Sequence, residues 1–156
     1  MVAPTTCDTV RYAGGWLFDR VMAGWDVLVL LAEPGDPRPL RILGARVAGL
    51  EAAMTSTVTG PRPHVLAVAA RLYDSDERVR RWVRRSVDHG LTEVRLWGGH
   101  LSPEIEARTG SVRHTLSVAA RAFKAQALAA AAAPAAAIDE AELFRSGELI
   151  PDLISA

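Results

Sequence analysis

The chain has one cysteine, Cys7, and one lysine, Lys124, in 156 residues. A single thiol excludes an intrachain disulfide and a thiolate metal cage. The other basic residues are arginines, and basic and acidic residues balance at eighteen each. With no excess charge there is no global pull toward nucleic acid or an anionic membrane, so any such affinity has to come from a local patch. Long apolar runs are also missing. The longest uncharged stretch, Ala125 to Ile138, is alanine interrupted by Pro134, too short and too weakly apolar to cross a bilayer. The opening Met1-Val2-Ala3-Pro4-Thr5-Thr6 has no cationic segment followed by an apolar one. The expectation is a cytoplasmic protein with no membrane contact. H-x-x-x-H, D-x-D-x-D-G and G-x-S-x-G are absent too, so no metal ligand and no catalytic residue is assigned from motifs, and the cofactor stays unknown.

What is present is an ordinary globular composition, 49% hydrophobic and 23% charged. The length suits one domain, expected over residues 1–133 and followed by an acidic amphipathic tail over 134–156. Thr9 to Tyr12 reads as a short strand, released by a Gly14-Gly15 turn into a helix with Leu17 and Val21 on one face and Gly24 as its stop. Val27 to Ala32 is continuously apolar, as a strand covered on both faces is. Pro34-Gly35-Asp36-Pro37 turns the chain, and Leu40 to Leu43 reads as a returning antiparallel strand. Arg46 to Met54 reads as helix, Thr55 to Pro63 as loop and Val65 to Ala70 as a buried strand.

Asp74 and Glu77 are spaced as a capping box before a helix that buries Val79, Trp82, Val83 and Val87 and stops at His89-Gly90. Glu93 to Trp97 alternates as a strand, Ser102-Pro103 opens a helical turn, and a longer helix runs from Ser111 toward Pro134. Strand–helix–strand units of this kind predict a small doubly wound α/β domain. Its sheet is expected to be mostly parallel, with about four strands and helices on both faces. So few strands bury a limited core, and pairing of two copies as a homodimer would complete it.

Gly14-Gly15 between a strand and a helix is the arrangement that lets helix amides approach an anion. With Glu33 nineteen residues beyond Gly14, this stretch resembles the opening unit of Rossmann dinucleotide-binding folds, where an acid near that distance holds the ribose. The resemblance covers about 25 residues. The family's G-x-G-x-x-G is here Gly14-Gly15-Trp16-Leu17-Phe18-Asp19, without the later glycines. In open α/β sheets, ligands sit at the carboxyl ends of the strands. That rim would hold Glu33, Asp74, Ser75, Gly98, Gly99 and His100. These residues also have plain structural uses as caps and turns.

Arg78, Arg80, Arg81, Arg84 and Arg85 stand opposite the apolar face of their helix. From Arg38 to Arg85 ten arginines meet four acids, a face suited to phosphate backbones or to an acidic partner. Residues 138–156 are acidic and amphipathic and suit such a basic face, a protein partner or a final helix. The leading expectation is a non-catalytic regulatory or scaffolding domain, homo-oligomeric, acting through protein–protein contacts. The alternatives are a nucleotide or phosphometabolite site at the strand ends, as binder or enzyme, and nucleic-acid binding through the arginine helix.

Overall fold

Val2–Ala3 forms the first strand (β1), and the long helix Thr6–Met22 (α1) follows it in a computed structural model that describes residues 1–56, 63–87, 93–99, 101–134 and 137–146. Next come β2 (Leu28–Leu31), α2 (Arg38–Ile42), β3 (Arg46–Gly49) and α3 (Leu50–Thr55). They are followed by β4 (Val65–Ala69), α4 (Ala70–Ser75), α5 (Glu77–Val87), β5 (Glu93–Trp97) and α6 (Pro103–Arg108). The last elements are β6 (Gly110–Thr115), α7 (Val118–Ala130) and β7 (Ala141–Ser146). Two compact units result: Met1–Ser56 with Arg113–Glu142, and Thr57–Val112 with Leu143–Ala156.

In the first unit β1 and β3 both run parallel to β2, with Ala3 opposite Leu31 and Val29 opposite Val47. Helix α1 starts where Thr5 Oγ1 accepts from Asp8 N at 3.1 Å and donates to Asp8 Oδ2 at 3.0 Å. Thr5 is thus the N-cap, and the Asp8 carboxylate in the first turn holds its hydroxyl. Gly24, at φ +87°, ends the helix with the Trp25 amide bonded back to Arg20 O. The stretch read as strand, turn and helix is therefore one helix. Its glycine pair serves packing: a Cβ on Gly15 would stand 1.6 Å from Leu116 Cδ2, and one on Gly14 would stand 3.2 Å from Leu43 Cδ1.

Leu40 to Leu43 is likewise helical. Pro39 lies in the first turn of α2, where a missing amide costs nothing, and both leucines are buried three residues apart. Arg46 to Gly49 is an exposed strand rather than the start of a helix, which begins only at Leu50. Residues 111–115, read as helix, lie in strand β6, and Ser117 caps α7 by accepting from Ala120 N at 3.0 Å.

In the second unit β4 and β5 pair in parallel, Val65 with Glu93 through Ala69 with Trp97. β7 joins β5 antiparallel, with Trp97 opposite Phe144. Ala141–Ser146 is thus a strand inside the segment read as a helix or partner-binding tail. The apolar face of α5 buries Val79 and Val83 as its spacing implies. Its cap, however, is Asp76, whose Oδ1 accepts from Arg78 N at 2.8 Å, while Asp74 lies in α4. The expected stop at His89-Gly90, the loop around Gly60-Pro61 and the tail beyond residue 146 fall outside the described residues.

The fold is α/β with helices and a mixture of parallel and antiparallel strand pairings. The described residues hold seven strands, where about four, mostly parallel, were expected. The difference comes from elements too short or too polar to register as apolar runs: β1 has two residues, and β3 and β6 are largely exposed. Among the described residues no helix is long and apolar enough to cross a membrane.

Candidate functional site

Each unit carries a cavity at the carboxyl ends of its parallel strands, where an open α/β sheet places ligands. In the first unit β1 passes through Pro4 into α1, and β2 leaves along it: the amides of Ala32 and Glu33 bond to the carbonyls of Ala3 and Pro4 at 2.9 Å. The turn after β2 is tied back by Thr6 Oγ1, which donates to Asp36 O at 3.2 Å. Between these segments is a cavity of about 270 Å³ lined by Thr5, Thr6, Cys7, Glu33, Pro34, Gly35, Asp36, Pro39 and residues 130–132 at the end of α7. The first amides of a helix have no acceptor within it. Asp8 N is taken by Thr5, and Thr6 and Cys7, the first two residues of α1, line the cavity. Asp36 Oδ1 is engaged by Arg38 N at 2.8 Å. Glu33 is exposed at the cavity mouth.

In the second unit, Arg71, Asp74, Ser75, Leu101 and Ser102 line an open cavity of about 320 Å³ beyond β4 and β5. Ser75 Oγ donates to Arg71 O at 2.8 Å, and Ser102 caps α6 by accepting from Ile105 N at 3.4 Å. Of the rim residues read from sequence, Glu33 therefore lines the first cavity, and Asp74 and Ser75 line the second. Gly98, at φ +118°, and Gly99 only carry the chain out of β5. His100 is outside the described residues.

Gly14 and Gly15 reach neither cavity. They lie in the middle of α1, buried, and their neighbourhood holds the most unusual polar cluster of the first unit. Glu142 on β7 places Oε1 2.9 Å from Gly15 N and Oε2 2.7 Å from Trp16 N. Lys124 Nζ of α7 donates to Oε1 at 2.6 Å, and both charged side chains are at most 5% exposed. An ion pair so fully removed from water needs this many partners, because desolvation otherwise exceeds the attraction. Nearby on α1, Asp19 ties together Ser117 Oγ at 2.6 Å and His114 Nε2 at 2.8 Å. Burial raises the Asp19 pKa, but the hydrogen bonds of Ser117 and His114 and the adjacent imidazole outweigh it, and the net shift is downward. The serine faces the aspartate rather than the histidine, so the trio is a clamp and not a nucleophile–base pair.

Arg78 and Arg80 have local duties. Arg78 pairs with Asp76 at 3.0 Å, and Arg80 donates to the carbonyls of Tyr73 and Asp74 at 3.0 and 2.6 Å, closing the α4–α5 corner. Arg81, Arg84 and Arg85 are exposed. Sequence reading did not single out Thr5, Thr6 and Cys7. The signal was available in Thr5-x-x-Asp8 directly after an apolar Val2-Ala3, a cap at the end of a strand.

The arrangement is an α/β fold with a mixed set of strand pairings. Three solved structures of one enzyme share it. A deacetylase triple mutant, Orf2*T, of the teicoplanin biosynthetic pathway matches with a TM-score of 0.65 at 14% identity, over 93% of this chain and 95% of that one. The deacetylase–teicoplanin complex matches with a TM-score of 0.59 at 14% identity over the same shares. The zinc-inhibited form of teicoplanin deacetylase Orf2 matches with a TM-score of 0.55 at 15% identity, over 82% and 81%. No family model matches the chain, and no curated protein matches it by sequence. The expectation of a non-catalytic regulatory or scaffolding domain, with its nucleotide and nucleic-acid alternatives, is corrected by this likeness: the solved structures that share the fold are those of a deacetylase. Nothing in it supports the labels regulatory or protein–protein interaction.

Proposed function

We propose that the chain is a hydrolase of the deacetylase fold, acting on a small N-acylated amine bound in the cavity at the head of α1. One observation carries the reading. In a fold shared with deacetylases, the ends of β1 and β2 open on a cavity that combines the first turn of a helix with a carboxylate at its mouth. Amide hydrolysis needs a donor pair for the oxyanion, a base for water and an acid for the leaving nitrogen.

The amides of Thr6 and Cys7 take the first role. Glu33 takes the other two: it accepts a proton as water adds to the carbonyl carbon, then returns it to nitrogen as the C–N bond breaks. Asp36 is held by Arg38 and shapes the wall. Among the described residues no three His, Cys, Asp or Glu side chains are grouped to hold a metal ion, so no step runs through one.

The test is release of free amine from N-acetylated amino sugars, N-acyl amino acids and an N-acylated glycopeptide, followed with an amine-reactive dye. Turnover by the wild type, with kcat lowered about 100-fold or more in Glu33→Gln, is the expected result. Binding without amine release across the panel, or a Glu33→Gln variant as fast as the wild type, would overturn the reading.

A further inference from the structure

One glycine of the pair, Gly15, bonds a carboxylate together with Trp16, and that carboxylate comes from the chain itself. In an α-helix every amide points along the axis at the carbonyl four residues back. The Glu142 oxygens lie within 2.9 Å of the Gly15 and Trp16 amides, which makes the middle of α1 the place where this carboxylate is held. The close approach of Leu116 depends on Gly15 having no side chain. Lys124 adds a third donor and the only full positive charge bonded to this carboxylate among the described residues. Two adjacent amides for two oxygens, with an ammonium on one of them, in a site closed to water, match a planar carboxylate and not a tetrahedral phosphate.

We propose that Gly15, Trp16 and Lys124 form a carboxylate-binding site filled in cis by Glu142, and that a free monocarboxylate enters it once that side chain is removed. Glu142→Ala deletes a methylene and a carboxylate, which are the heavy atoms of acetate beyond its link to the chain. The full-length variant is melted in sodium acetate and in sodium chloride of equal ionic strength at neutral pH. Acetate is expected to raise its Tm by about 3 °C or more over chloride. Wild type, whose seat is filled, shows no such difference, and adding Lys124→Met to the variant abolishes it.

Equal melting of Glu142→Ala in the two salts overturns the proposal. Should that variant fail to fold, the wild-type amide proton shifts of Gly15 and Trp16 are compared with those of Glu142→Gln. Upfield movement of both supports a charged acceptor at this seat, and unchanged shifts overturn it.

Discussion

Replacing Lys124 with methionine keeps most of the side chain's volume and deletes the charge 2.6 Å from Glu142 Oε1. The carboxylate then stays buried with two amides and no counter-ion. Removing one member of a buried pair costs about 3–5 kcal/mol. In a chain of this size each kcal/mol lowers Tm by roughly 2–4 °C, so a loss on the order of 6–20 °C is expected. The double variant Lys124→Met with Glu142→Met separates charge from hydrogen bonding. It removes the buried charge as well, and leaves the Gly15 and Trp16 amides without that acceptor, at about 1–3 kcal/mol each. The two single losses should therefore sum to well above the double loss, a coupling that urea denaturation followed by circular dichroism resolves. A Lys124→Met variant within about 1 kcal/mol of wild type would refute the reasoning, because it would mean that the amides alone neutralise the carboxylate.

Gly15→Ala should destabilise by about 1–3 kcal/mol, because its Cβ meets Leu116 Cδ2, and the penalty should shrink in a Leu116→Ala background; equal penalties in the two would deny the steric cause. Asp19 titrates below its ordinary value of 3.8 in the folded state, so the stability it adds is complete above that value and is lost as the pH falls through the lower folded one. Urea midpoints between about pH 2 and 6 should accordingly fall less steeply toward acid in Asp19→Asn than in wild type, and identical slopes would remove Asp19 from the acid response.

Strands β2 and β4 were legible because deep burial writes itself as an unbroken apolar run, as at Val29 to Leu31 and Leu66 to Ala69. Helix α5 was legible from the 3.6-residue recurrence of Val79 and Val83. Helix α1 was not, since β-branched Thr9-Val10 and a glycine pair locally favour strand and turn, and packing against Leu116 and Leu43 decided otherwise. β7 was unreadable for a deeper reason. It turns an acid, Glu142, inward beside Phe144 and Leu143 outward, and that alternation makes sense only once a lysine on another element and two amides of a third are known to meet it. Of the residues that line the first cavity, Glu33 was singled out in the sequence. The wall formed by Thr5, Thr6 and Cys7 was hidden behind a two-residue strand.

The bond from Glu142 to Gly15 spans 127 positions. A ribosome delivers α1 long before it delivers the residue that satisfies its middle, and closing so wide a loop is slow. Through that interval the helix lacks the carboxylate that bonds Gly15 and Trp16. Newly made chains halted before residue 142 should be cut there by proteases that leave the finished protein intact.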